Sequence, residues 1–464
     1  MRPATPARAS LSGSLWNDPA RAWAVYEPSQ ASPWDLARVG HLHRRAGFAA
    51  PWAVLQRDLR EGPQASVDRL LDGETTTPDG RSAAAFEALA ENMSRQLAPG
   101  ASLTRLQGLW IYRLVFTPHP LRERMTLFWH NHFATSQTKV QNTALMQRQI
   151  DFFRGNALGN FRTILEGVGK DPAMLIWLDS TENRRAHPNE NYAREVMELF
   201  ALGRGKYTEK DIQEAARAFT GWFVVRDQFQ EIAGQHDDGP KHVLGKSGRF
   251  DGDDIPPLLL EQPACAEFLA TKLIRMFVSE VDPIPPPLVA PLADALRAAN
   301  YNIRVPIEMI LRSNLFFDHA ARRRRVKSPV ELTVGTIRAL EIVKPTVQAD
   351  AVAEACGRMG QGLYAPPSVA GWEGGSAWIN STAMLARSNF ALGLLSPESA
   401  ALGRRFDPAD LVRRHGAKDA ARFFGELLVQ DAFDATVAAR VAASSATPRE
   451  AATYVLTSPE YQLA

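Results

Sequence analysis

Cysteine is almost absent: the 464 residues include two, Cys265 and Cys356. They are too few and too far apart for a disulfide framework or a cysteine-rich zinc site. Charge of one sign is missing too. Lys and Arg number 53 against 51 Asp and Glu, a formal net charge of +2. That balance excludes a strongly basic nucleic-acid binder and an acidic solvating tail, so no nucleic-acid partner is expected. No apolar run reaches the roughly 18 residues of a membrane span. The N-terminal MRPATPARASLSGSLWNDPARAW has early arginines but lacks the apolar core of a signal peptide. As written, the chain is expected in the cytoplasm, and export would require a misassigned start. GxSxG, HExxH and P-loop patterns are also missing, which disfavours serine hydrolase, zincin and Walker-type NTPase chemistry.

What is present is ordinary globular material, with 45% hydrophobic and 22% charged residues, enough apolar surface for a large core. Apolar residues recur at three- and four-residue spacing near 82–97, 101–117, 120–133 and 142–155, the signature of amphipathic helices. Asp171-Pro172 supplies an N-cap and a proline at the first helical position. Residues 222–250, with a Phe/Val-rich start and a DDG turn, predict a small β-hairpin or ordered insertion. Residues 364–380, YAPPSVAGWEGGSAWIN, read as a Gly/Trp-rich loop folded back on a core. The expected fold is mainly α: a single large multi-helix domain with a small β-hairpin or irregular insertion. Residues 1–33 read as a flexible arm, 34–400 as the helical domain, and 401–464 as a helical tail packing on it.

Three segments carry residues suited to chemistry. In RERMTLFWHNHFATS (122–136), His130 and His132 are two apart, so on a helix they point roughly 200° apart and cannot chelate one ion. Flanking aromatics imply burial, and a buried imidazole needs a partner. In HPNENYAREVMELFALGRG (187–205), an α-helical period puts Asn191, Arg194, Glu195 and Glu198 on one stripe. Two carboxylates one turn apart can hold a divalent cation, or one can act as a base while Arg194 clamps an anion. The plainer alternative is a solvated polar edge with a Glu190–Arg194 pair. In GQHDDGPKHVLG (234–245), His236, Asp237, Lys241 and His242 stand in a Gly-rich loop, a common place for site residues and equally for capping turns. The RRRR run at 322–325 reads as a solvated run or a phosphate-contacting patch.

These segments, together with NALGNFRTILEGVGKDPAMLIWLDS, KSPVEL and PPSVAGWEGGSAWIN, resemble the bacterial family called domain of unknown function 1800, from about Gly40 to about Leu395. The resemblance implies a mainly helical fold without a settled reaction. It also implies a partner in the product of a neighbouring sulfatase-related gene. A second likeness, resting on W-H-N-H-F, an A-R-E helix and an Ala-Arg helix, is to animal-type haem peroxidases. It would make His132 the distal acid–base and Arg194 the peroxide-polarising cation, with Glu195 or Glu198 nearby. His319 is the available later histidine and a poor axial ligand.

The sequence therefore points to a metal-dependent enzyme, hydrolytic or oxidative. His130, His132, Glu195, Glu198, His236 and Asp237 are its expected metal ligands, and His132, Arg194, Glu195 and Lys241 its catalytic set. A divalent metal is the expected cofactor, with haem second. The alternatives are a non-catalytic helical scaffold or chaperone-like partner protein, in which the motifs are buried polar networks, and a haem-peroxidase-like oxidoreductase.

Overall fold

The computed structural model describes residues 15–96, 100–343, 348–396, 406–430, 439, 441–443 and 447–464. The four strongest helical periods become helices Ala83–Arg95, Leu103–Phe116, Pro120–His132 and Thr143–Gly155. Three begin where a side chain satisfies the orphan amides of the first turn: Ser82 accepts from Ala85 N, Ser102 from Arg105 N, and Asn142 from Ala144 and Leu145 N. The fourth begins with Pro120, which has no amide hydrogen to leave unpaired. Asp171 caps Pro172–Trp177 as its sequence predicts. The fold is mainly α, and its buried apolar residues join into one core that runs from Trp16 to Tyr461.

The 222–250 segment forms two hairpins rather than one. Strands β1 (Trp222–Val225) and β2 (Gln228–Glu231) pair antiparallel, as do β3 (Lys241–Val243) and β4 (Lys246–Gly248). Both turns have two residues at positive φ, Arg226-Asp227 and Leu244-Gly245, which matches the twist of the flanking strands. The second hairpin docks on helix Glu209–Ala218, whose Asp211 and Glu214 accept the Leu244 and His242 amides.

Both ends of the described chain are tied to the body. Residues 1–14 of the expected arm lie outside the described residues, but 15–33 include a short helix, Pro19–Trp23. The Trp16 and Trp23 indoles donate to the Pro283 and Leu288 carbonyls at 2.8 and 2.9 Å. At the other end, Tyr461 shares a 2.7 Å hydroxyl–hydroxyl hydrogen bond with Thr336. The Ala464 amide donates to the Arg325 carbonyl at 2.8 Å. No described helix is long and apolar enough to cross a membrane. Both cysteines are buried and free.

Candidate functional site

Successive residues on a helix turn by about 100°, so the last three residues of Pro120–His132 face three directions. Each holds a different, distant segment. His130 is buried, and its Nε2 accepts the Tyr364 amide at 3.2 Å while its ring packs edge-on against Trp110 and Trp372. Burial holds its pKa down at about 3, so it is neutral. Asn131 Oδ1 accepts the Trp372 amide at 2.7 Å. Beside it Gly371 sits at φ +79°, where a Cβ would come within 2.2 Å of Asn131 Oδ1, so glycine is required on both counts. His132 Nε2 lies 2.9 Å from the Phe200 carbonyl and Nδ1 lies 2.9 Å from Lys272 Nζ. A carbonyl only accepts, so the network assigns the proton to Nε2 and leaves Nδ1 as acceptor. Burial and the neighbouring Lys272 hold this imidazole well below its usual pKa.

The Phe200 carbonyl is available because of a local departure from α-geometry. After Asn191–Glu195 the chain widens into a π-helical turn, Val196–Ala201. The Leu202 and Gly203 amides both return to Met197 O. The carbonyls of Leu199 and Phe200 are taken instead by Lys272 Nζ, at 3.3 Å, and by His132.

His132 and Lys272 stand on the wall of an open cleft of about 540 Å³, a size suited to a small organic ligand. Helix Pro120–His132, helix Pro263–Phe277, the start of helix Pro329–Ala339 and the Gly/Trp-rich loop enclose it. Phe128, Trp372 and Trp378 supply aromatic surface. Its floor holds a buried ion network. Glu331 pairs with Arg124 and, at 3.2 Å, with Arg325, while its other oxygen accepts the Ser328 amide at 2.6 Å. Two guanidinium groups outweigh the burial that would raise its pKa, and it falls to about 2. Glu280 stands 3.4 Å from Arg325 and accepts the Val326 amide. Arg124 and Arg325 are thus neutralised.

Lys272 and Arg275 are not. Among the described residues neither has a carboxylate within ion-pair distance, and both line the cleft. The one unpaired carboxylate of the lining, Glu373, is exposed at the rim. Burial, aided by Arg275, brings Lys272 down to about 8.

The remaining residues expected from sequence lie outside this cleft. Arg194 bridges Glu190 and Glu209, at 3.0 and 2.7 Å. Glu198 is bound by Arg204 and the Tyr207 hydroxyl. Glu195 is half-buried beside Glu198, and burial raises its pKa. His236 Nδ1 donates to the Thr220 carbonyl at 2.9 Å. Asp237 pairs with Arg217 at 2.7 Å, and Lys241 Nζ donates to the Asp237 and Gly239 carbonyls. Apart from Glu195, each of these acids and bases is thus spent on a nearby residue. Among the described residues no group of three or more His, Cys, Asp or Glu is placed to hold a metal ion. Arg194 does not share the cavity that His132 lines, and His319 opens a 3₁₀ turn, His319–Ala321. Arg325, the last of the RRRR run, belongs to the ion network.

Sequence reasoning misses Lys272 and Arg275. Their signal is faint: Phe268, Lys272 and Arg275 share one face of a helix by i, i+4 and i+7 spacing. That pattern usually marks a solvated edge. KSPVEL carries Glu331 in a capping box with Ser328.

The model of the family described as Protein of unknown function (DUF1800) matches residues 41–463. The chain belongs to the DUF1800 family. No curated protein and no solved structure matches it. In this DUF1800 member the match runs through the WHNHF helix, the π-helical turn, the cleft and the C-terminal tail. The family therefore takes in the whole site.

Proposed function

We propose that the chain is an enzyme whose cleft takes an anionic organic ligand, with Lys272 as the reacting amine and His132 as its proton partner. The observation that carries this reading is electrostatic. Four cationic side chains line the cleft, and the two not neutralised by Glu331 or Glu280 stand three residues apart on one helix, facing an open cavity. An anion entering there meets the lasting positive charge of the exposed Arg275, and a second charge whenever Lys272 is protonated. His132 keeps its sequence-expected catalytic place in this proposal. Arg194, Glu195 and Lys241 give way to residues of the cleft. A metal-dependent reaction is not part of this reading, because among the described residues the six ligands named from sequence form no group of three or more placed around one ion. A partner from the neighbouring sulfatase-related gene remains a proposal from the family resemblance, testable by co-purification of the two products.

Titration of the purified protein with organic carboxylates, phosphates and sulfates, each beside a neutral analogue, tests the reading. At least one anion is expected to bind with tenfold or greater preference over its analogue, and Arg275→Ala should remove that preference. Equal binding of the neutral analogues would overturn it. So would no binding at millimolar concentrations, which would favour the scaffold reading, in which His130, Asn131 and Glu331 serve only to anchor loops.

A further inference from the structure

The hydrogen bonding of Lys272 goes further than its charge. Its Nζ has two acceptors among the described residues, His132 Nδ1 at 2.9 Å and the Leu199 carbonyl at 3.3 Å. An ammonium group carries three N–H donors and a neutral amine two. In this setting the third donor of the ammonium form has no oxygen or nitrogen acceptor from the described residues, and only the Phe268 ring or the open cleft can take it. The neutral form has no third donor, and its remaining tetrahedral position is a lone pair. His132 cannot supply an opposing charge: its Nε2 proton is committed to Phe200, and its Nδ1 is held as an acceptor. Arg275, one turn along the helix, disfavours a second positive charge and works against the Phe268 ring, whose face lies 4.7 Å from Nζ and favours the cation. Desolvation and a neighbouring cation are the two means by which proteins make a lysine nucleophilic. With the pKa at about 8, roughly a tenth of Lys272 is free amine at pH 7, against under about one in a thousand for an ordinary lysine.

We infer that Lys272 is an imine-forming lysine, and that its substrate class is a small oxo acid whose carboxylate lies against Arg275 while its carbonyl carbon meets the amine. This rests on the anion-binding reading above and adds a covalent step to it. The lone pair on Nζ attacks the carbonyl carbon, a C–N bond forms, and the carbonyl π electrons move to oxygen, which takes a proton. The resulting carbinolamine loses that oxygen as water, whose two hydrogens derive from the amine, and a C=N bond remains. Nothing is oxidised or reduced, and no co-reactant is consumed. His132 Nδ1, which accepts a hydrogen bond from the amine before attack, is placed to receive the proton that leaves the nitrogen. A base so weak returns that proton readily, so it serves as a relay rather than a store.

The test uses the full chain with glyoxylate as the oxo acid, acetaldehyde as its uncharged counterpart, and cyanoborohydride to reduce any imine to a stable amine. Peptide mass mapping then reads the rate at each lysine. Lys272 is expected to be modified by glyoxylate at least tenfold faster than Lys210, whose side chain is 71% exposed. Arg275→Ala should slow the glyoxylate reaction at least fivefold more than the acetaldehyde reaction, which loses only the share of the amine's activation that Arg275 supplies. Modification of Lys272 no faster than Lys210 would overturn the inference, even if the anion titrations succeed. An Arg275→Ala effect equal for both aldehydes would overturn the assignment of an acid. The wild-type rate decides the first point without a variant, so misfolding of a mutant cannot obscure it.

Discussion

Glu331→Gln is expected to destabilise the protein by about 3–5 kcal/mol, because it leaves two guanidinium groups in the interior without their shared counter-charge. Glu331 is 5% exposed, Arg124 and Arg325 contact the same carboxylate oxygen, and the second oxygen caps the helix it belongs to. Glutamine keeps the shape and one acceptor but loses the charge. The effect should appear as a lower midpoint in urea or thermal unfolding, and an unchanged midpoint would show that the network carries no stability. The double change Arg124→Met/Glu331→Met should cost less than the sum of its parts, since it removes a charge together with its partner. The pH dependence has a definite sign. The folded pKa of Glu331 is depressed to about 2, so its contribution is complete above the unfolded value and is lost as pH falls from there toward 2. The wild-type protein should therefore lose more stability over that interval than Glu331→Gln does.

The second large effect is expected at Gly371. A Cβ there would lie 2.2 Å from Asn131 Oδ1 and 2.5 Å from the Asn131 backbone oxygen, at φ +79°. Neither backbone atom nor helix can retreat cheaply, so Gly371→Val must unseat the loop that carries Trp372 and Trp378 along one side of the cleft. Anion affinity should fall at least tenfold, about 1.4 kcal/mol or more. The loss of global stability should stay below that of Glu331→Gln, because the loop adds less to the core. Gly357→Ala is the matched control: the site is helical, and no atom lies within 4 Å of the added carbon. It should leave binding unchanged and raise stability by about 0.5–1 kcal/mol. Equal losses at both glycines would mean that the cleft does not depend on how the loop is seated.

The fold was legible wherever periodicity and caps agreed. Ser82, Ser102 and Asn142 precede apolar runs of helical spacing, and each caps a helix in the structure. The insertion was visible, but its division into two hairpins was not, since Arg226-Asp227 lacks the glycine that usually announces a primed turn. The α-helical period did not show the π-helical turn at Val196–Ala201, although Glu195 and Glu198 remain neighbours across it. At the site, the angular argument for His130 and His132 holds: they point apart and serve different segments. Their partners were out of reach of any local pattern, as Lys272 is 140 residues from His132 and Trp372 is 241 from Asn131. The acidic and basic residues that stand out in sequence, Arg194, Asp237 and Lys241, are conspicuous because they are satisfied nearby. The cleft's reactive groups are ordinary-looking charges on an amphipathic helix.

The three-way anchorage at the end of helix Pro120–His132 also sets an order of events in biosynthesis. Helices formed early from the emerging chain carry His130, Asn131 and His132, but Phe200, Lys272, Tyr364 and Trp372 follow by up to 241 residues. At about 5–20 residues per second, the nascent chain waits on the order of tens of seconds between making the histidines and making the last segment they hold. The partners of His132 arrive first, at Phe200 and Lys272, and those of His130 and Asn131 last, at Tyr364 and Trp372, so the segments that join them must close over long spans. The cleft is thus among the last parts of the molecule to be completed, and a ribosome-bound chain stopped before Trp372 would have most of the helical body and a cleft without its Trp372 and Trp378 wall.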